Sequence, residues 1–219
     1  MENKNVVYTN NKITGGHYAF QNPGKNPFCN PMKECTSIEL FADDVVADIG
    51  AYVGEYTMYA ANQGVKRIKS YEATPNTFNL LQKNVSLIES SANIDIHNLA
   101  VVGDDRKECE LFLSKGIGVT NSIEKRRGKK GFIKIDTIRY EQAVKDCTVV
   151  KIDVEGAEYS YDIIQPNLRA IILEFHPLVN KDWQGKAYMI MEKLKSNGFK
   201  SIIYPTFKNG WSLNSSWIR

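Results

Sequence analysis

Long apolar runs are missing from this chain. The most continuous ones, such as Ala170-Ile171-Ile172-Leu173, have the length of a strand and are too short to cross a bilayer, so no membrane span is expected. No apolar segment follows Met1-Glu2-Asn3-Lys4-Asn5, so a secretory signal is not expected and the cytoplasm is the expected compartment. A dominant charge is missing as well: 28 Lys and Arg against 25 Asp and Glu leave +3, too little to argue for nucleic acid alone. Cysteine is sparse, with four residues, Cys29, Cys35, Cys109 and Cys147. They match no usual zinc spacing and are expected to be free thiols in a reducing compartment. What remains is ordinary for a globular protein: 42% hydrophobic and 24% charged residues in 219, enough for one α/β domain. Residues 41–219 are expected to form that domain, and residues 1–40 an N-terminal extension punctuated by Gly15-Gly16, Pro23-Gly24, Pro27 and Pro31. Tyr18, Phe20 and Phe28 in that extension suit either a lid over a crevice or an anchor to the core.

The most informative stretch is Val45-Val46-Ala47-Asp48-Ile49-Gly50-Ala51-Tyr52-Val53-Gly54. An apolar run of this length reads as a buried parallel strand, and residues 55–62 can continue as a helix. Glycines at such a strand-to-helix turn let the backbone approach a ligand, and the new helix aims free N–H groups at it. Glu72 closes the next apolar stretch 22 residues after Gly50, near the spacing of about 20 at which an acid binds a ribose diol. An adenosine-bearing ligand is therefore expected. A pyrophosphate would need G-x-G-x-x-G, but Tyr52 occupies the middle position and Asp48 precedes the turn. A carboxylate there repels a pyrophosphate and attracts the ammonium and sulfonium of S-adenosylmethionine.

The remaining chain follows the same plan. Thr74 and Pro75 read as N-cap and first position of a helix carrying Phe78, Leu81, Val85 and Ile88 on one stripe. Ile94-Asp95-Ile96-His97 alternates as a strand, in which His97 reads as a structural residue. Residues 101–135 read as an insertion of antiparallel strands or loops, and residues 138–145 as a short helix. Within the insertion, residues 125–130 place five bases in six positions, either a phosphate-seeking patch for RNA or a solvated loop. Two further apolar strands end in polar groups, Asp153-Val154-Glu155-Gly156-Ala157-Glu158 and Glu174-Phe175-His176. Side chains two apart on a strand face one way, so Asp153, Glu155, Glu174 and His176 converge if these strands are neighbours and stay extended there. A helix over residues 187–195, a strand over 200–204, an Asn209-Gly210 hairpin signal and a strand over 211–218 complete the chain.

Four segments together resemble the FkbM family of S-adenosylmethionine-dependent methyltransferases: residues 48–54, Tyr71-Glu72-Ala73-Thr74-Pro75, residues 151–158, and Leu173-Glu174-Phe175-His176-Pro177. The third, K-I-D-V-E-G-A-E, is the most specific. The resemblance covers roughly residues 40–180 and implies a Rossmann-like class I methyltransferase fold. That fold is an α/β three-layer sandwich with a mostly parallel sheet and a C-terminal antiparallel hairpin strand. It implies methylation of hydroxyls on sugars, glycans or small metabolites. By position, Asp48, Gly50, Ala51 and Gly54 would hold the methionine end of S-adenosyl-L-methionine and Glu72 its ribose. Asn98 and Ala100 would flank the adenine, and Asp153 would border the cofactor. Gln165-Pro166-Asn167 departs from the family, which usually has a glycine there, and residues 1–40 match none of its motifs.

A hydroxyl acceptor benefits from a general base, typically worth about a hundred- to ten-thousand-fold. His176 suits that role by its intrinsic pKa, with Asp153 as the rival and Glu174 or the remaining member of the pair orienting the acceptor. A third reading gives Asp153, Glu155 and Glu174 to a hard divalent cation that acidifies the alcohol, the lesser alternative to a metal-free site. The acceptor is expected to be a small molecule or glycan, with RNA as the runner-up and a non-catalytic scaffold as the third reading. Oligomeric state is not legible.

Overall fold

A computed structural model of the protein describes residues 6–11, 16–21, 36–114, 121–124, 131–177, 182–205 and 213–219, the first two segments and residue 213 by backbone alone. Seven strands make the central sheet: β3 (Val45–Ile49), β4 (Arg67–Tyr71), β5 (Asn93–His97), β9 (Val149–Ile152), β10 (Ala170–Phe175), β11 (Lys200–Ile203) and β12 (Leu213–Ile218). Their spatial order is β11-β12-β10-β9-β3-β4-β5. The neighbours from β5 to β10 pair in parallel, and β12 runs antiparallel to both β10 and β11. The antiparallel strand expected near the end of the chain is therefore present, while the Asn209-Gly210 signal lies outside the described residues.

Every residue of β3 and β9 is buried, which explains their largely apolar sequences, broken only by Asp48 and Lys151: both faces of these strands are covered. Val45, Ala47 and Ile49 point to one layer with Val150, Ile152 and Leu173, where they meet Tyr140, Met191 and Leu194. Val46, Val149 and Ile172 point to the other, against Tyr56, Tyr59 and Ala60. The covering helices are α1 (Glu55–Asn62), α2 (Pro75–Val85), α3 (Tyr140–Ala143) and α4 (Trp183–Ser196). The result is the three-layer sandwich expected from the sequence. None of the helices, among the described residues, is long and apolar enough to cross a membrane.

Between β5 and β9 the chain builds a small sheet from β6 (Ala100–Val102), β7 (Glu108–Phe112) and β8 (Phe132–Arg139), in order β6-β8-β7. β7 pairs antiparallel with β8 as expected, whereas β6 pairs parallel to it. β8 runs as far as Arg139, so the helix expected over residues 138–145 shrinks to α3; Ile138 and Arg139 are taken by pairing with Val101 and Val102. At the start of the chain, β1 (Val6–Asn11) and β2 (Gly16–Gln21) form an antiparallel pair. Phe28, Cys29, Cys35 and residues 125–130 lie outside the described residues, and nothing is described of the side chains of Tyr18 and Phe20. Cys109 and Cys147 are buried free thiols.

The ends of the sheet differ in character. At the end opposite the candidate site, Asp44 is buried and accepts hydrogen bonds from Phe41 N (2.7 Å), Thr148 Oγ1 (2.6 Å) and Arg169 Nε (2.8 Å). Burial opposes the Asp44 charge, but Arg169 and Thr148 outweigh it and hold the carboxyl below its ordinary range. This end is a clamp. The carboxyl ends of β3 and β9 lie where the chain turns to opposite sides of the sheet, toward β4 on one and β10 on the other. In open α/β sheets that switch point is where ligands bind.

Candidate active site

Gly50 follows the last residue of β3 with φ +77°, a conformation that side chains resist. A Cβ placed there would lie 1.8 Å from the carbonyl oxygen of Asp153, so the two strand ends could not approach as they do. The N–H groups of Gly50 and Ala51 both donate to the Tyr71 carbonyl at 2.9 Å, binding the turn to the end of β4. Gly54, at φ +98°, stands as the N-cap of α1, and its N–H donates to the Ala51 carbonyl (2.8 Å). Tyr52 between them also has positive φ, +51°, and its N–H donates to Glu72 Oε2 (3.0 Å).

Glu72 is buried, and its second oxygen, Oε1, accepts from Thr74 N (2.7 Å). Thr74 is the N-cap of α2 as expected, but without a capping bond from its hydroxyl, which accepts instead from Asn121 Nδ2 (3.2 Å). Burial raises the Glu72 carboxyl to about 7, against the opposing pull of these hydrogen bonds and of Lys151. Asn98 donates from Nδ2 to the carbonyls of Glu72 (2.8 Å) and Ala73 (3.1 Å), holding the loop behind the carboxylate. Ala100 is buried at the start of β6. His97 stacks on Tyr71 with ring centroids 4.9 Å apart, a structural role.

Asp48 has no exposed surface. Its Oδ2 accepts from Thr57 Oγ1 (2.7 Å), and its Oδ1 lies 3.5 Å from Lys151 Nζ. Lys151 also donates to the Gly50 carbonyl (2.7 Å) and stands 3.4 Å from Asp153 Oδ2. One lysine therefore ties together the ends of both central strands. Glu55, half-buried at the start of α1, faces the same group of charges; burial first, then Asp48 and Asp153, raise its carboxyl to about 7 despite Lys151.

The second half of the site forms where β9 and β10 end side by side, with Ile152 opposite Leu173. Asp153, Glu155, Glu174 and His176 converge there. His176 Nε2 lies 3.5 Å from Glu155, 3.6 Å from Asp153 and 3.7 Å from Glu174. Glu155 bends into this group through a left-handed conformation, φ +56°, and Gly156 continues the turn at φ +113°. Behind His176 sits Glu158, fully buried. Its Oε1 accepts from His176 N (2.7 Å) and lies 3.4 Å from Nδ1, while Oε2 accepts from Gly156 N (2.8 Å). Burial opposes a charge on His176, but Glu155 and Glu158 outweigh it and lift the imidazole well above its ordinary pKa.

The sequence reading gave no role to Lys151, Glu55, Thr57 or Glu158. Lys151 carried a signal, a cation inside the apolar run of β9. Glu158 stood in the most specific motif. Thr57 and Glu55 carried none, because only the folded turn sets them against Asp48. Six carboxylates (Asp48, Glu55, Asp153, Glu155, Glu158 and Glu174) thus surround Lys151 and His176 in the described residues, leaving the site strongly negative.

Comparison with known proteins fits this arrangement. The family model described as "Methyltransferase FkbM domain" matches residues 48–201, from the glycine turn through β10 and into β11. No curated protein matches the sequence. Among solved structures, the chain is similar to precorrin-6y C5,15-methyltransferase from Geobacter metallireducens, at TM-score 0.53 and 14% identity over 92% of this chain and 94% of that one. It is also similar to P. horikoshii TYW2 in complex with MeSAdo, at TM-score 0.57 and 12% identity over 100% and 72% of the two chains. A third is M. jannaschii tRNA m1G37 methyltransferase, at TM-score 0.54 and 13% identity over 99% and 55%. At such identities these likenesses speak for the fold. The family match spans well over half of the sequence and includes the glycine turn, Glu72 and both acidic strand ends: this chain belongs to the FkbM methyltransferase family.

Proposed function

We propose that the protein transfers the methyl group of S-adenosyl-L-methionine to a hydroxyl oxygen of a sugar, glycan or small metabolite. The observation that carries this reading is the setting of Glu72. Its oxygens are fixed by the backbone N–H groups of Tyr52 and Thr74 and by the Thr74 side chain, and a carboxylate so held retains acceptor capacity for a ribose hydroxyl. Gly50, Ala51 and Gly54 bring backbone close beside it for the methionine end, and Asn98 and Ala100 stand on the adenine side. Asp48, paired with Lys151 and Thr57, shapes this half from behind the turn.

The acceptor enters from the side of Asp153, Glu155, Glu174 and His176. Methyl transfer is an in-line displacement: the carbon–sulfur bond breaks with its electrons remaining on sulfur, and a carbon–oxygen bond forms. Most of the acceleration comes from positioning the partners. Asp153 receives the hydroxyl proton. It is a third exposed and borders both halves of the site, whereas the His176 side chain is 5% exposed and lies behind the carboxylates. Glu174 orients the acceptor, and His176 positions the carboxylates from behind.

RNA is the second reading. Five bases in residues 125–130 favour it, and tRNA is the substrate named for one structural neighbour. A phosphate backbone would have to approach a negative site, which favours the neutral hydroxyl acceptor. Transfer of labelled methyl from S-adenosylmethionine into a fractionated cell extract tests the choice, with Glu72→Ala protein as the blank. Label in glycan or small-metabolite fractions is the expected result. Label confined to RNA, with binding that weakens steeply with salt, would replace it with the second reading.

A further inference from the structure

We propose that Asp153, Glu155 and His176 bind one hard divalent cation of the Mn²⁺/Mg²⁺ class, and that this cation holds the acceptor hydroxyl. The inference rests on the methyltransferase reading for its role but not for the site itself.

The first argument is spacing. One oxygen of Asp153, one of Glu155 and a ring nitrogen of His176 all lie within 4.8 Å of one another. The separations from Nε2 are 3.6 and 3.5 Å, longer than the 2.7–3.2 Å of an ordinary N–H···O bond. Two ligand atoms about 2.1 Å from one ion stand roughly 3.0–3.4 Å apart at octahedral to tetrahedral angles. A contraction of a few tenths of an ångström would bring Nε2 to ligand spacing from each carboxylate, the two carboxylates, within 4.8 Å of each other, close on the ion from either side, and Glu174, 3.7 Å from Nε2, stands at its edge.

The second argument is independent of the acidic cluster. His176 is nearly fully buried, and its other nitrogen, Nδ1, faces the fully buried Glu158 at 3.4 Å. Glu158 is itself fixed by the backbone N–H groups of Gly156 and His176. A carboxylate behind Nδ1 keeps the hydrogen on that nitrogen, so a cation that displaces the Nε2 proton meets the Nε2 lone pair aimed at the cluster. Tyr159 completes the support by donating its hydroxyl to the His176 carbonyl (2.8 Å). Two carboxylates with one imidazole suit Mn²⁺ better than an all-oxygen preference such as that of Mg²⁺.

The chemistry follows directly. An alcohol is a poor nucleophile at neutral pH, and a carboxylate alone is a weak base toward it. A cation at this place polarises the bound O–H, so that its proton passes to Asp153 through Oδ2, the oxygen on the Lys151 side, as the oxygen takes the methyl group. The sulfur leaves as neutral S-adenosylhomocysteine.

Titration of the full chain with Mn²⁺, followed by electron paramagnetic resonance in the presence of S-adenosylhomocysteine, tests the site. One equivalent is expected. His176→Gln and Glu155→Gln should each weaken binding at least tenfold, and Glu158→Gln by ten- to a hundredfold through the imidazole. Glu192→Gln, on the exposed face of α4, should leave it unchanged. Glu155→Gln serves if the buried His176 variant does not fold. Binding well below one equivalent, or equal in wild type and Glu155→Gln, would overturn the proposal. A donor titration on the same samples separates the two readings: donor bound without Mn²⁺ removes the cation alone, and Mn²⁺ bound without donor removes the methyltransferase reading.

Discussion

The ammonium of Lys151 stands 3.5 Å from the fully buried carboxylate of Asp48, directly across the register of the two central strands. Neither charge would be tolerated in this position alone, since an isolated ion in a protein interior is costly. Replacing Lys151 by Met should therefore destabilise the protein by about 3–5 kcal/mol, because Asp48 is left unpaired. The double variant Asp48→Asn/Lys151→Met should recover much of that loss. Urea denaturation measures both, and a loss below about 1 kcal/mol in the single variant would show that the pair is not coupled.

Glu72 should make stability depend on pH in an unusual direction. Its carboxyl is raised to about 7 in the fold, above the ordinary 4.5. The folded protein therefore holds a proton that the unfolded chain has released, and stability falls as pH rises through this window, levelling off above pH 7. The size is on the order of 3 kcal/mol. Glu55, also raised to about 7, contributes in the same sense, so the comparison needs Glu72→Gln, which should flatten part of the slope. Donor affinity should move oppositely and tighten as pH rises past 7, because a ribose diol needs an ionised acceptor. Calorimetric binding of S-adenosylmethionine across pH 6–8 checks it; a flat profile would contradict the assigned role.

Gly50→Ala should lose both stability and donor binding. The added carbon would collide with the Asp153 carbonyl, and φ +77° disfavours any side chain. Strain of this kind costs on the order of 1–3 kcal/mol, and the two strand ends must also separate. Donor affinity is expected to fall at least tenfold by titration. Unchanged affinity would mean that the turn is not the cofactor's seat.

Asp44→Ala should separate stability from function. Asp44 holds Phe41, Thr148 and Arg169 at the far end of the sheet, so its loss leaves three part-buried donors without their acceptor and costs on the order of 2 kcal/mol. Donor affinity below the melting transition should be unaffected. A parallel loss of affinity would show that the two ends of the sheet communicate.

The parts of the fold that were legible are those where local sequence and burial agree. β3, β9 and β10 read as strands because both of their faces are buried, so only Asp48, Lys151 and Glu174, all groups of the site, interrupt their apolar sequences. The glycine turn read correctly because Gly50 is the residue that its dihedral angle demands. Tyr52 and Glu155 did not, since both adopt positive φ with side chains that disfavour it. The convergence of Asp153 and Glu155 with Glu174 and His176 was visible as a conditional statement: the parallel pairing of β9 with β10 meets its first condition, whereas Glu155 joins the group by leaving the extended conformation that was its second. The partnership of Lys151 with Asp48 depends on strand order, which no local pattern encodes. The shortened α3 was misread because the alternation of β8 passes into the helix without a break in hydrophobicity.

The order of strands also bears on how the chain is made. β10 pairs with β12, and β12 lies between β10 and β11 in the sheet although it follows β11 in the chain. During synthesis the ribosome therefore releases β10 with one flank bare, and only the emergence of residues 213–218 closes it. Any chain stopped before Leu213 would carry an open strand edge that is apolar except for Glu174, the form of nascent protein that associates with its neighbours and occupies chaperones.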